Sequence, residues 1–424
     1  MARKMKDSGI EWIGEIPEGW ETCLYKYCCS VQPGYPFDSA KFSNSSTDGF
    51  PLIRIRDITS GEIQTYYTGE YPPNYIVTAG DLLVGMDGDF NVRWWNNDAA
   101  LLNQRCCRVT EKDSVLRRFL YYVLPFTLQH INTLTYATTV KHLANGDILN
   151  SFIAFPSLPA QQNIVHYLDT VCSEIDAMLS KTRSSIEEYK KLKQAVITQA
   201  VTKGVRGERE MKDSGVEWIG EIPTTYSICK LKYLLKNPLK YGANESGIPY
   251  SDSLPRYIRI TDITPDGNLK YTGKLSLSEE SAKDYILEDG DILFARSGAT
   301  VGKTFIYYQS YGRSAYAGYL IKASLNNKVS PKFVYYYTCS SLYEIWKNSI
   351  FIQSTIQNIG ADRYANLPVP VPKTLQEQEE IADYLDAKCA EIDKLIAKKE
   401  QLVKELESYK KSLIYEVVTG KREV

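Results

Sequence analysis

Histidine is scarce in this chain of 424 residues: there are three, at His130, His142 and His166, and they form no recognisable triad or metal set. Nine cysteines include the adjacent pairs Cys28-Cys29 and Cys106-Cys107 but no C-x-x-C spacing. That argues against zinc or a disulfide framework and fits buried thiols in a reducing compartment; no metal is expected. No run of about 18 apolar residues exists to cross a membrane. The stretch Met1 to Gly14 carries charge without an apolar segment, so it does not read as a secretion signal. Formal charge is −1, so any phosphate-binding surface must be a local patch. No carboxylate pair stands out for acid-base work.

What the chain has is itself, twice. Met5-Lys-Asp-Ser-Gly-Ile-Glu-Trp-Ile-Gly-Glu-Ile-Pro17 returns at Met211 to Pro223 with one change, Ile10 to Val216. Ile53-Arg-Ile-Arg-Asp-Ile-Thr59 returns as Ile258-Arg-Ile-Thr-Asp-Ile-Thr264, and Gly80-Asp-Leu-Leu83 as Gly290-Asp-Ile-Leu293. Leu158 to Lys203 returns at Leu375 to Gly420 without a gap, at a shift of 217.

This last stretch has no Pro past its opening residues and no internal Gly in either copy, and its apolar residues step by four and three, which is helical. The first copy reads Ile164, Leu168, Val171, Ile175, Met178, Thr182, Ser185, Tyr189, Leu192, Val196, Gln199. The second reads Ile381, Leu385, Lys388, Ile392, Leu395, Lys399, Leu402, Leu406, Tyr409, Leu413, Glu416. A seven-residue period held this long marks helices wound on each other, each a rod of about 60 Å. A lone amphipathic helix on its own domain explains one such stretch better than two matched ones.

Between the repeats, Ile53 to Ile58, Asp81 to Gly85, Ile258 to Ile263 and Asp291 to Ala295 read as strands bounded by turn residues. Ser114 to Tyr122 and Pro331 to Cys339 read as short helices. The expected class is α+β: two mixed α/β, β-rich domains separated by two long antiparallel coiled-coil helices, in a pseudo-two-fold internal repeat. The divisions are 1–157, opening motif and first domain; 158–203, first rod; 204–373, linker, second motif and second domain; and 374–424, second rod. Connectivity makes the rods antiparallel with the domains at opposite ends. It also brings the C-terminus to the opening motif and sets Thr182 opposite Lys399.

Two similar, non-identical domains on a rigid spacer suit a reader of bipartite, asymmetric DNA, with rod length setting the unread gap. The duplicated Met-Lys-Asp-Ser-Gly motif, the Ile-Arg-Ile-x-Asp-Ile and Gly-Asp-(Leu/Ile)-Leu segments and the Tyr-Leu-Asp-x-x-Cys-x-Glu-Ile-Asp helices resemble the specificity subunit of type I restriction-modification enzymes. The resemblance covers essentially the whole chain. It implies a non-catalytic, cytoplasmic, prokaryotic subunit that binds double-stranded DNA and docks two methyltransferase subunits. Where restriction occurs, two restriction and translocase subunits join. It implies no cofactor in this chain, with S-adenosylmethionine, ATP and Mg in the partners.

The absence of Asn-Pro-Pro-(Phe/Tyr) agrees; Asn237-Pro238-Leu239 breaks after the first Pro. Gly298-Ala-Thr-Val-Gly-Lys-Thr304 is one residue short of a phosphate loop and reads as a strand-turn-strand. A scaffold presenting two protein- or glycan-binding domains is the alternative, and a fused methyltransferase is disfavoured by the missing motif.

Phosphate contacts need Lys or Arg, and base readout favours Arg on guanine and Asn or Gln on adenine. The second domain has 18 basic against 12 acidic residues over Tyr226 to Lys373. Its candidates are Arg296, Ser297, Lys303, Arg313, Gln353, Ser354 and Gln357. Over Trp20 to Ser157 the count is 11 to 13, so the first domain is electrostatically poorer. Its candidates are Asn91, Arg93 and Asn96 in the loop Asp87 to Asn97, with Thr138, Thr139 and Lys141. Arg54, Arg56 and Arg259 are either readers or structural ion-pair partners. Trp94 and Trp95 either stack on a base or pack internally.

Overall fold

The computed structural model of the chain describes residues 3–134, 141–264, 267–298, 300–352 and 358–424. It divides into two compact units, Met1–Thr182 with Gln401–Val424, and Arg183–Glu400. Each holds one recognition-type domain and parts of both long helices, Leu158–Lys203 and Leu375–Val418.

The opening motif folds as a hairpin, Met5–Asp7 against Glu15–Pro17 in the first unit and Met211–Asp213 against Glu221–Pro223 in the second. Beyond it the two units share a plan. A four-stranded sheet runs Val92–Trp94, Leu82–Gly85, Cys106–Glu111, Cys29–Pro33 in the first; the second has Thr304–Ile306, Ile292–Ala295, Leu320–Ala323, Lys240–Tyr241. A second sheet, of five strands in the first unit and four in the second, carries one parallel pair in each, Phe50–Ile53 with Ala100–Leu102 and Arg256–Ile258 with Ser314–Tyr316. A third pairing, Glu21–Leu24 with Phe152–Phe155 and Tyr226–Lys230 with Pro368–Pro372, leads into each long helix.

The Ile-Arg-Ile-x-Asp-Ile segments are not continuous strands. The first breaks after Ile53 into a helix, Ile55–Ser60, and the second after Ile258 into a 3-10 turn, Ile260–Asp262. The aspartate is the cause: Asp57 accepts from the Arg54 amide and Asp262 from the Arg259 amide, both at 2.8 Å. An acidic side chain closing on an amide three residues back opens a helical turn and stops the strand. The helix expected over Ser114 to Tyr122 runs longer, as Arg117–Leu134.

The long helices pair antiparallel within each unit. In the second unit Tyr189 lies under Lys399, Lys193 meets Asp393 and Arg206 meets Glu380, so one helix descends as the other rises. In the first, Lys410 meets Asp176. The seam is shifted from the expected one. Met178, Leu192, Leu402 and Tyr409 are 51, 48, 43 and 49% exposed, and Lys388 is exposed. Leu179, Ile186, Ile197, Cys389 and Val417 are buried instead. The buried steps begin Ile164, Leu168, Cys172 and Ile381, Leu385, Cys389, two fours in succession. There the helix packs on its domain as well as on the other long helix, and a straight helix drifts off the 3.5-residue repeat.

Lys399, expected opposite Thr182, lies over the Tyr189 ring within the second unit. Six residues on from the Asp176–Lys410 pair, Thr182 is level with Lys404, and its hydroxyl donates to its own helix at Met178 O, 2.7 Å away. The C-terminus packs on the opening motif as expected: Tyr415 OH donates to Trp12 O at 2.9 Å, and Gly420 lies against Pro17 and Trp20.

Two buried glutamines fix each domain on its helix. Gln161 accepts from Leu116 N at 2.9 Å and donates to Ser114 O and Pro156 O. Gln378 accepts from Ser330 N at 2.8 Å and donates to Lys328 O and Pro372 O. A second joint lies two turns on, where Arg118 and Tyr122 meet Asp169, and Lys332 and Tyr336 meet Asp386. Burial and the Asp169 carboxylate push the Tyr122 phenol well up, and the same causes act on Tyr336.

Candidate nucleic-acid interface

In each unit a loop leaving the central strand of the main sheet is tied to the segment that returns to the long helix. Asp87 bridges His142 in the first, and Ser297 bridges Asn358 in the second. Met86 N donates to Arg105 O in one and Arg296 N to Tyr319 O in the other, so a further turn joins each loop.

The first loop is held by Phe90, which is 2% exposed although its φ is +53°. A bulky residue in the left-handed region costs energy, here offset by its place in the core. Asn91 and Asn96 are exposed beyond it. Arg93 is turned inward: its guanidinium donates to Ile58 O and to Thr59 O, closing the end of the Ile55–Ser60 helix. Lys141 donates to Asn132 O and Oδ1 at 2.5 and 2.6 Å. Thr138 and Thr139 lie outside the described residues.

In the second unit Arg296 lies 4.9 Å over the Tyr241 ring, and its buried Nε has no hydrogen-bond partner among the described residues. Ser297 forms the bridge, and Lys303 is exposed. Arg313 is apart from them, held in a two-pronged pair by Glu279, whose carboxyl the guanidinium lowers below its usual range. Gln353, Ser354 and Gln357 lie outside the described residues. The structure thus gathers Asn91 and Lys141 on one loop cluster and Arg296, Ser297 and Lys303 on its counterpart; it sets Asn96 at the far end of the strand Val92–Trp94 and engages Arg93 and Arg313 elsewhere.

Gly298 to Thr304 lies between antiparallel strands paired Phe294 with Thr304, not between a strand and a helix as a phosphate loop requires. Trp95 is fully buried with its ring N–H on Asp98 O at 3.0 Å, and Trp94 packs edge-on to Tyr121 and against Arg118. Arg56 and Arg259 form ion pairs with Asp57 and Asp262. Arg54 has none among the described residues and lies over Phe42. Its neighbours Gln104 and Arg105 carry no sequence signal, because they sit in a turn with no repeat identity.

Two domains of one plan, carrying unlike exposed loops and each seated on paired antiparallel helices, define a tandem recognition protein. The chain belongs to the type I restriction modification DNA specificity family, whose model matches residues 17–188 and 244–405. It is 30% identical over 391 residues to the type I restriction enzyme EcoBI specificity subunit of Escherichia coli, covering 90% of this chain and 81% of that one. It is 23% identical over 427 residues to the MjaVIII specificity subunit of Methanocaldococcus jannaschii, covering 96% and 93%. Its fold is similar, with a TM-score of 0.72 at 16% identity over 96% of this chain and 99% of that one, to a chain of a type I R-M system solved to explain complex assembly and conformational transition. No described helix is long and apolar enough to cross a membrane.

Proposed function

We propose that this chain is the DNA sequence-specificity subunit of a type I restriction-modification system, each domain reading one half of a bipartite, asymmetric site and the paired helices setting the gap. The observation that carries it is the duplicate family match on two domains whose frames agree and whose exposed loops differ. Unlike loops on like frames make the site asymmetric. Family membership disfavours the protein- or glycan-binding scaffold.

The chain itself does no chemistry in this reading and holds no cofactor. It docks two methyltransferase subunits that bring S-adenosylmethionine, and two restriction subunits that use ATP and Mg where cleavage occurs. Asn91, Asn96, Lys141, Arg296, Ser297 and Lys303 face the DNA, Lys141 and Lys303 as phosphate contacts. Thr138, Thr139, Gln353, Ser354 and Gln357 remain proposed DNA contacts on residue type alone. Arg93 and Arg313 serve these surfaces by holding neighbouring segments.

Co-expression with the cognate methyltransferase subunit in a host lacking adenine methylation, followed by sequencing of methylated adenines, tests this. A two-part motif with a fixed gap is expected, and removal of one heptad from both helices is expected to shorten that gap. A contiguous motif, or none, would overturn the reading.

A further inference from the structure

The same tight turn stands in both units with the same bonds and different outward side chains. In the first, the turn 103–106 follows the strand Ala100–Leu102. Tyr35 N donates to Leu102 O at 2.9 Å, Gln104 N to Tyr35 O at 3.0 Å, Asn103 N to Ile53 O at 3.3 Å, Cys106 N to Asn103 O at 2.9 Å and Gly34 N to Cys106 O at 2.9 Å.

In the second unit, the turn 317–320 repeats each bond. Ala243 N donates to Tyr316 O at 2.9 Å, Gly318 N to Ala243 O at 2.7 Å, Ala317 N to Ile258 O at 3.0 Å, Leu320 N to Ala317 O at 2.8 Å and Gly242 N to Leu320 O at 3.1 Å. Gly34 and Gly242 back the turns so closely that an added Cβ would overlap the Asn103 and Ala317 carbonyls.

On this frame the first unit exposes Gln104 and Arg105, and the second sets a half-buried Gly318 beside Tyr319, the tyrosine 62% exposed. A backbone conserved bond for bond between halves, with its outward pair changed from Gln-Arg to Gly-Tyr, is how two domains of one plan come to read different sequences. We infer that the turn 103–106 is a specificity-determining element of the first domain, in which Gln104 and Arg105 contact base edges. This rests on the DNA-reading function proposed above.

The chemistry of the pair fits. Arg presents a fork that matches guanine O6 and N7, and Gln matches adenine N6 and N7. The rigid turn lowers the entropy lost on binding. Arg105 is only loosely held: its one ion pair among the described residues, to Asp87 at 3.4 Å, leaves the guanidinium exposed, and Asp87 is already held by His142 at 2.7 Å. The two side chains border a cleft of about 300 Å³ whose far wall carries Arg54. In the second unit the equivalent Arg259 is bonded to Asp262 and Gly273 O, whereas Arg54 has no ion pair among the described residues.

The test is the methylated-adenine motif written by Arg105→Ala, Arg105→Lys and Gln104→Ala chains, each full length and co-expressed with the methyltransferase subunit. Arg105→Ala is expected to relax one base pair of one half-site by roughly 5- to 100-fold in discrimination, leaving the other half-site and the gap unchanged. Arg105→Lys keeps the charge but not the fork, so it is expected to relax the same base pair. Gln104→Ala is expected to relax a neighbouring one.

A motif unchanged at every position, or methylation lowered uniformly by Arg105→Ala and restored by Arg105→Lys, would overturn the inference by making Arg105 a bystander or a phosphate contact. The doubly substituted Gln104→Gly, Arg105→Tyr chain carries the pair already tolerated on this frame and guards against misfolding. If it too writes the wild-type motif, the inference falls. A wild-type chain that writes no two-part motif would instead sink the function on which the inference rests.

Discussion

Lys193 donates to both carboxylate oxygens of Asp393, at 2.7 and 2.6 Å, and the image of this pair under the repeat, Lys410 with Asp176, has the same geometry in the other unit. Each charge sits beside the apolar seam, where it opposes register shifts more than it adds stability. Such exposed pairs contribute about 0.2–1 kcal/mol. Lys193→Glu, which faces the Asp393 carboxylate, is expected to lower stability by about 1 kcal/mol, and adding Asp393→Lys to recover most of it. Denaturant unfolding of the four chains of this cycle measures it.

Gln161 and Gln378 are buried at 0 and 1% exposure, and each satisfies one amide and two carbonyls where a domain meets its long helix. Leu in either place has similar bulk and leaves those backbone groups unpaired. Since an unsatisfied buried group costs about 1–3 kcal/mol, Gln161→Leu is expected to cost about 2–4 kcal/mol and Gln161→Glu at least as much at neutral pH, because the carboxylate still accepts from Leu116 but sets a buried charge against the Ser114 and Pro156 carbonyls. Unfolding midpoints, with hydrogen exchange at Leu116, distinguish the two.

Much of this was legible because duplication lets one half check the other. The antiparallel helices, the two β-rich domains and the closing of the C-terminus on the opening motif all follow from matched positions. The seam was misplaced because Val171 and Lys388 keep a strict four-three step, whereas the fold buries Cys172 and Cys389, and nothing local distinguishes a helix on a domain from one on another helix. Ile53 to Ile58 looked like a strand because isoleucine alternation outweighed the Asp57 that breaks it. Arg93 and Arg313 have the chemistry of readers; only contacts distant in sequence show them to be held by Thr59 and Glu279. Gln104 was invisible for the opposite reason, since Asn-Gln-Arg and Ala-Gly-Tyr share no residue and only their hydrogen bonds align them.

Asp57 supplies a pH signature. Burial pushes its carboxyl above the usual value of 3.8 despite the Arg54 amide and Arg56, which pull it down. The folded chain therefore holds this proton at a pH where the unfolded chain has released it. Stability from this group is greatest below 3.8 and falls as pH rises through the raised value. Asp57→Asn keeps an acceptor for Arg54 N and removes the titration. Relative to wild type, the variant is expected to gain stability as pH rises from 3.8 through the raised value, as read from thermal midpoints; a constant difference would contradict the buried-charge account.

The Arg118–Asp169 joint should be stiffer than its counterpart. Arg118 lies 4.6 Å from both the Trp94 and Tyr121 rings and bonds Asp169 at 2.8 Å, so a strand leading from the recognition loop, a domain helix and the long helix meet at one guanidinium. Lys332 reaches Asp386 at 2.6 Å, but an ammonium has no flat face to stack between rings. Removing the carboxylate strands a stacked, part-buried Arg in one unit and a freely rotating Lys in the other. Asp169→Ala is expected to cost about 2–3 kcal/mol and Asp386→Ala about 1. If the joint also orients the domain on its helix, Asp169→Ala should blur the gap between half-sites by a base pair while leaving the bases read unchanged. Methylated-adenine sequencing separates these effects, because a purely structural loss lowers methylation at every site without altering the gap.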